Sequence, residues 1–386
     1  MIYKMCLCRS RYVVVKLEFC DNIIYNADIL SYCEEKQMTD KKEERYYITR
    51  DEKAQAKYKE LAGVLPDYVD DFLRGKKFAW STRVEYAYSL IEFFNFWKEN
   101  NPALPRDIGK ISPDYLDMLS GQDILEYQKE IRDRTGKSST LNNKLCAVRS
   151  LLKHMYAKDI LENNISPKVE LDPIKEADKP PIVALTKDEV GELLHIIEFG
   201  SPFPPRKQAT KDKTRKRDLA IIAVLLYTGI RVSECVGINI EDLDIGNYCI
   251  RNIHRKGGKD EYGVYFKDNC KRYLEEYLEE RYQISKDKIS PGSTAALFLS
   301  ENSKGEWNRI SVRSIERLVE DYNSVCPTTK HITPHKFRST YATSLGKLGD
   351  LQLLKENLGH TNIQMSQRYC SFDRSRQEKS RNSLDY

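Results

Sequence analysis

Apolar residues recur at helical spacing in two long segments of the first half of the chain. FAWSTRVEYAYSLIEFFNFWKE follows the repeat of an amphipathic helix, and Thr82 and Glu85 have the spacing of a capping box near its start. SSTLNNKLCAVRSLLKHMYAKDIL carries a second stripe that runs from Leu141 to Met155. The pattern therefore predicts a helical domain over residues 46–165.

Prolines end this pattern and mark a second domain. ISPKVELDPIKEADKPPIVALT holds four prolines without periodicity, so residues 166–184 are predicted to form an extended linker. The next segment, TKDEVGELLHII, has a helical pattern that Thr186 can cap, and a second domain is expected over residues 185–386. Residues 1–45 carry β-type runs such as RYVVV; they are either a small appendage or a stretch upstream of a start at Met38.

Two blocks of the second domain place basic side chains at the ends of elements. DLAIIAVLLYTGIRVSE predicts a buried helix, a Thr-Gly break and a second helix begun by Arg231, with Glu234 able to pair with it one turn on. NYCIRNIHRKGGKDEYGVYF predicts a β-hairpin with Lys256 and Lys259 at its tip. Taken singly, these residues also fit a salt-bridged helix start and solvent-facing lysines.

A third block lies near the end of the chain. In HITPHKFR, Thr333 can cap a helix with Pro334 at its first position, which puts His335 and Arg338 on one face. A following helix, DLQLLKENLGH, is predicted to end at a C-cap glycine.

Two further reactive side chains follow that glycine. His360 comes directly after it, and Tyr369 stands nine residues further on. Alone, Tyr369 fits a core aromatic as well as a nucleophile.

Together the two arginines, the lysine, the two histidines and the tyrosine form a coherent chemical set. Paired guanidinium groups can hold a phosphodiester and stabilise the charge of its transition state. A phenol becomes nucleophilic when a base such as histidine accepts its proton, and a lysine can protonate the departing sugar oxygen. No step needs a metal, and the chain shows no GxxxxGK[ST] nucleotide motif, so no cofactor is expected.

The composition restricts the class of protein but does not indicate a function. The chain has 386 residues, 40% of them hydrophobic and 31% charged, which fits a globular protein of two or three domains. Ten cysteines include no CxxC pair, so no metal site is expected, and reduced thiols favour the cytoplasm. The run RYVVVKLEF is broken by Lys16 and Glu18, which argues against a signal peptide or membrane span.

The net charge is only +5, so any nucleic-acid surface depends on local clustering. Residues 206–218, RKQATKDKTRKRD, hold seven Lys or Arg and are predicted to form a solvated loop beside the reactive residues. The candidate DNA-binding residues come from this run, the second helical stripe and the hairpin: Lys144, Arg149, Lys153, Lys211, Lys213, Arg215, Lys216, Arg217 and Lys259. An ordinary solvated face explains the same charges.

The reactive set resembles that of the tyrosine recombinase family, which includes phage and conjugative-transposon integrases and Xer-type recombinases. The family order, Arg, Lys, His-x-x-Arg, His, Tyr, is matched by the following residues: Arg231 in TGIRVSE, Lys256 in the hairpin, His335 and Arg338 in HKFR, His360 in LGH, and Tyr369. The match covers about residues 55–375, and the spacing from LGH to the tyrosine is its most specific part.

The resemblance implies a mainly α fold with a small β-hairpin or sheet, arranged as a two-domain C-shaped clamp around double-stranded DNA. It implies strand cutting and rejoining through a 3′-phosphotyrosyl intermediate on Tyr369, without ATP or metal. Four protomers would act on paired sites, with a free monomer and accessory DNA-bending proteins both compatible with the family. Integration or excision of a mobile element is the expected role, and no membrane is involved.

Two alternatives share parts of this set. A type IB topoisomerase uses similar residues, but the LGH spacing and the preceding helical domain favour a recombinase. A DNA-binding relative that has lost catalysis is disfavoured by the presence of all six reactive residues.

Overall fold

The computed structural model describes residues 4–8, 11–15, 45–173, 181–200, 203–255, 262–347, 351–359 and 369. Within them the chain is mainly helical with small antiparallel sheets, as predicted. The helices are α1 (Tyr46–Ala62), α2 (Asp67–Gly75), α3 (Trp80–Asn100), α4 (Pro113–Leu116), α5 (Gly121–Thr135), α6 (Ser138–Tyr156), α7 (Lys187–Phe199), α8 (Pro205–Thr228), α9 (Val232–Val236), α10 (Asp268–Gln283), α11 (Val312–Asn323), α12 (Pro334–Gly346) and α13 (Leu351–Leu358). The strands are β1 (Lys4–Cys8), β2 (Arg11–Val15), β3 (Leu243–Asp244), β4 (Cys249–Ile253), β5 (Tyr262–Tyr265), β6 (Leu299–Glu301) and β7 (Trp307–Arg309). In the part of the chain so described, no helix has the length and apolarity needed to cross a membrane.

Residues 1–44 form a compact unit separate from the rest. Its described strands, β1 and β2, pair antiparallel with Lys4 opposite Val15 and Cys8 opposite Arg11. The β-type runs near the start of the sequence therefore form a hairpin.

Helices α1 to α6 enclose one hydrophobic core, to which both predicted stripes contribute. Phe94 and Trp97 of α3 are fully buried there. The predicted capping box of Thr82 and Glu85 is wrong, because α3 begins at Trp80 and its N-cap residue makes no side-chain cap bond. The Arg83 guanidinium lies 4.3 Å from the centre of the Trp80 ring, and this contact stabilises a first turn that starts two residues before Thr82.

A second core surrounds α8, whose residues 219–226 are all buried. The helix extends back to Pro205 at its first position, so the predicted loop over the basic residues 206–218 is wrong. The physical reason is that this run contains no glycine or proline, and lysine and arginine are good helix formers. A buried helix therefore continues through the charged residues to the proline that starts it.

The hairpin predicted after α9 is present. Strands β4 and β5 pair antiparallel, with Cys249 opposite Tyr265 and Ile250 opposite Val264, and β3 adds a third strand beside β4. The apolar residues Ile250 and Val264 face the second core, which fixes the strand register.

The first turn of α1 contacts the part of the chain that builds the second core. The Arg45 guanidinium donates to the Asp242 carboxylate at 2.9 Å, and the Tyr47 ring stacks on His254 with ring centres 3.9 Å apart. Further along α1, Tyr58 and Leu61 are buried in the first core. Helix α1 therefore touches both halves, and its contact with His254 lies just after β4.

Candidate active site

A glycine turn after α8 sets the position of Arg231. Gly229 caps the helix in the left-handed conformation, with φ +65°, and its N–H donates to the Leu225 carbonyl at 3.2 Å. A Cβ at this position would overlap the Tyr341 ring, so only glycine fits. The chain thus turns sharply between two packed helices and presents Arg231 at the N-cap of α9.

Glu234 holds Arg231 in place, and the predicted pairing of these residues is confirmed. The Glu234 carboxylate accepts the Arg231 backbone N–H at 2.8 Å and the Arg231 Nη1 at 2.8 Å. The side chain of Glu234 is 3% exposed, whereas that of Arg231 is 38% exposed. A buried carboxylate therefore orients a guanidinium that remains open to a ligand.

The start of α12 carries the next pair as expected. Thr333 is the N-cap, its hydroxyl accepts the Lys336 N–H at 3.4 Å, and Pro334 opens the helix. His335 is exposed at the surface. Its pKa is lowered, first by the protein atoms packed around it and then by the cationic Arg338, Lys336 and Arg231. Its imidazole is therefore neutral at pH 7 and able to accept a proton.

Arg338 lies one turn further along α12 and is 4% exposed. Its Nη1 donates to the Gly229 carbonyl at 2.7 Å, and its Nη2 donates to the Leu358 carbonyl at the end of α13. Burial, followed by repulsion from Arg231, lowers the pKa of Arg338 to about 10. The group keeps its charge at pH 7, and it joins the turn before Arg231 to the end of α13.

Arg255 meets the same helix end, and sequence reasoning missed it. This residue is buried, and its Nη1 and Nη2 donate to the carbonyls of Glu356 and Asn357 at 2.7 and 2.6 Å. Gly359, the predicted C-cap of α13, is left-handed with φ +60°, and a Cβ there would overlap the Arg255 guanidinium. No local pattern reveals these contacts, because they join residues about a hundred positions apart.

Tyr369 lies beside this cluster. Its ring is partly buried and packs against the small apolar group formed by Ala342, Leu354 and Leu358. Leu358 belongs to this group, and its carbonyl accepts the Arg338 hydrogen bond, so the Tyr369 ring and the Arg338 guanidinium both contact the end of α13. The described structure therefore brings Arg231, His335, Arg338 and Tyr369 together, whereas Lys256, Lys259 and His360 lie outside the described residues.

The candidate DNA-binding residues fall into two groups. Several are engaged by carboxylates of the protein itself: Lys144 with Glu92, Lys211 with Asp321, Lys216 near Glu280, and Arg217 with Asp218. Arg149, Lys153, Lys213 and Arg215 are exposed. Among the residues that the structure describes, no group of three or more His, Cys, Asp or Glu side chains could hold a metal ion.

Comparison with known proteins identifies the family of the chain. A model of the phage integrase family matches residues 184–376. The tyrosine recombinase XerS of Streptococcus gordonii is 30% identical over 354 residues, covering 84% of this chain and 97% of that protein. The chain therefore belongs to the phage integrase family, and it is a tyrosine-type site-specific recombinase.

Solved structures agree in fold. The Tn1549 transposon integrase in complex with transposon right end DNA is 20% identical with a TM-score of 0.58, over 82% of this chain and 98% of that one. The XerH site-specific recombinase bound to its difH substrate is 22% identical with a TM-score of 0.56, over 80% of each chain. Neither a topoisomerase nor a silent DNA-binding relative is favoured by these comparisons.

Proposed function

We propose that this recombinase cuts and rejoins double-stranded DNA through a 3′-phosphotyrosyl intermediate on Tyr369. The observation that carries the proposal is the convergence of Arg231, His335 and Arg338 beside Tyr369, from elements distant in sequence. Arg338 makes the junction, because its two hydrogen bonds reach the turn before Arg231 and the end of α13.

The two guanidinium groups suit a scissile phosphate. Arg231 is oriented by Glu234 and keeps an open face. A guanidinium has five N–H donors, and the two backbone bonds of Arg338 leave others for a phosphate oxygen. Such fixed donors stabilise the negative charge on the non-bridging phosphate oxygens in the transition state.

In the proposed step one bond forms at phosphorus and another breaks. One proton leaves the attacking oxygen, and one is added to the departing oxygen. The Tyr369 oxygen bonds to phosphorus while the bond from phosphorus to the 5′ oxygen breaks. The tyrosine proton passes to a neutral histidine, for which His335 is suited, and Lys256 protonates the departing 5′ oxygen. His360 supports the phosphate. Attack by another 5′ hydroxyl reverses the sequence and rejoins a strand, so no ATP is needed.

Double-stranded DNA is the proposed partner, and the two solved recombinases described above were bound to DNA. The exposed residues Arg149, Lys153, Lys213 and Arg215 are proposed to bind its phosphates. The helical and catalytic halves would grip the duplex as a clamp, and four protomers would assemble on two sites, with DNA-bending proteins as accessory factors. We place the reaction in the cytoplasm, with integration or excision of a mobile element as its role.

Covalent trapping tests this function. A substrate nicked just beyond the cleavage site lets the short fragment that carries the new 5′ hydroxyl diffuse away after cleavage. Wild-type protein should therefore accumulate an adduct that resists detergent. Tyr369→Phe should bind the same DNA, because the ring still packs against α12 and α13, but it should form no adduct. An adduct on Tyr369→Phe would identify another nucleophile, and no adduct with wild type would defeat the proposal.

A further inference from the structure

The C-terminal end of α13 is held by two buried arginine side chains. The last carbonyls of a helix lack partners within the helix, and they form the negative end of its dipole. Arg255 binds the carbonyls of Glu356 and Asn357, and Arg338 binds that of Leu358. Three consecutive carbonyls thus accept hydrogen bonds from two cationic groups. These bonds offset the cost of burying the two charged side chains.

The contact made by Arg255 also fixes direction. A guanidinium is a rigid planar fork, so bonds from both of its ends to adjacent carbonyls set its orientation relative to the helix axis. Gly359 lets the chain pass directly against this group, and no larger residue fits. The Gly359 backbone therefore lies directly against the Arg255 side chain.

The residue that follows Arg255 and the residue that follows Gly359 both belong to the reactive set. Arg255 directly precedes Lys256 in the sequence, and Gly359 directly precedes His360. On its other side the hairpin base is held by the stack of Tyr47 on His254, with ring centres 3.9 Å apart. The end of β4 is therefore held from two sides, one of which is the helix that leads to His360.

We infer that Arg255 is a positioning residue, which joins the base of the hairpin to the end of α13 so that Lys256 reaches the leaving 5′ oxygen. This inference rests on the proposed function, because it takes Lys256 as the general acid. Arg255 itself touches backbone carbonyls in the described structure, and it acts through its neighbours. Its charge also reaches the active-site arginine, since it contributes to the lowered pKa of Arg338.

The test compares two leaving groups in single-turnover cleavage by the full chain. In one substrate the scissile 5′ oxygen is replaced by sulfur, which departs as a thiolate and needs no proton. On the normal substrate, Arg255→Met should slow adduct formation by about 10²-fold, because a misplacement of about 1 Å has that effect. On the sulfur substrate it should cleave within a few-fold of wild type. Arg255→Lys keeps the charge but not the planar pair of donors. Its cleavage rate on the normal substrate should therefore lie between those of wild type and Arg255→Met.

Two controls separate the causes. Arg281→Met removes another buried arginine that binds backbone carbonyls, those of Thr294 and Ala296, away from the site. It should lower the melting temperature without a difference between the two substrates. The sulfur substrate should restore the cleavage rate of Lys256→Ala. If it does not, Lys256 is not the general acid, and the inference about Arg255 is wrong as well.

The remaining outcomes bear on Arg255 alone. If Lys256→Ala is restored by sulfur but Arg255→Met is equally slow on both substrates, Arg255 does not deliver Lys256. Wild-type rates for Arg255→Met on the normal substrate would overturn the inference directly, as would a sulfur-specific recovery of Arg281→Met.

Discussion

The contact between Glu234 and Arg231 leads to the sharpest prediction for catalysis. Glu234→Gln keeps the size of the side chain but removes its charge and one of its two acceptor oxygens. The new amide group would face either the Arg231 N–H or its Nη1, both of which are donors that now lie at 2.8 Å from a carboxylate. The variant therefore loses at least one charge-assisted hydrogen bond in a buried place.

The structure sets the size of the effect. A hydrogen bond to a charged group contributes about 1.5 to 3 kcal/mol, so cleavage should slow roughly ten- to hundredfold if this bond is needed to orient Arg231 in the transition state. DNA binding should weaken much less, because the partly exposed Arg231 guanidinium can still meet a phosphate. In an Arg231→Ala background, Glu234→Gln should add little, since the group that it orients is absent.

The assay is single-turnover cleavage of the nicked substrate, with binding measured separately by mobility shift. Glu189→Gln is the matched control, because Glu189 also closes a capping box, at Thr186 of α7, and also pairs with a cation, Lys330. It should cost stability and leave the cleavage rate unchanged. Wild-type cleavage by folded Glu234→Gln, or equal slowing by Glu189→Gln, would refute the reasoning.

The remaining predictions concern pH and salt. The hydrogen bond from Lys330 lowers the pKa of Glu189 to about 2, so its stabilising effect is present above its unfolded pKa and lost as pH falls towards 2. After allowance for partial exposure, Glu189→Gln should lower the free energy of unfolding by about 1 to 2 kcal/mol at pH 7, and denaturant titrations at pH 2 should show that most of this difference is lost. Because the pKa of His335 is lowered from its ordinary value of 6.5, the midpoint of the decline in cleavage towards acid pH should lie below 6.5, and His335→Gln should lack this decline. Replacing exposed Lys213 and Arg215 by Gln should reduce the slope of log affinity against log salt by about 0.9 for each DNA phosphate that the variant no longer neutralises. Lys211→Gln is the control, because it breaks an internal ion pair and should lower the melting temperature without changing the slope. The opposite pattern would remove α8 from the DNA interface.

Local sequence patterns were sufficient to predict where the helices and strands that build the site begin and end. The Thr333 cap, the left-handed Gly359 and the pairing of Glu234 with Arg231 each depend on residues within four positions of one another. Side-chain preferences and helix geometry act at this range, so the pattern predicts them well. The hairpin after α9 is of the same kind.

Contacts across the fold could not be predicted in this way. The bonds from Arg255 to α13, and the bond that occupies Lys144 with Glu92, depend on how helices pack. The basic run of residues 206–218 misled for a related reason, since its charge suggested solvent while its lack of helix breakers allowed α8 to continue. Which surface lysines meet carboxylates is decided by tertiary structure, and a charge count does not reveal it.

The burial of Arg338 has a consequence for how loss-of-function variants of this protein are interpreted. Many active-site residues are poorly suited to the folded state, so replacing them leaves stability unchanged or improved. In the proposed mechanism Arg338 is the opposite case, because the side chain assigned to the scissile phosphate also holds three segments together. An inactive Arg338 variant can therefore be unfolded rather than chemically impaired, and Arg231→Ala leaves the buried Glu234 carboxylate without its guanidinium partner. The melting temperature of each variant has to be measured beside its cleavage rate.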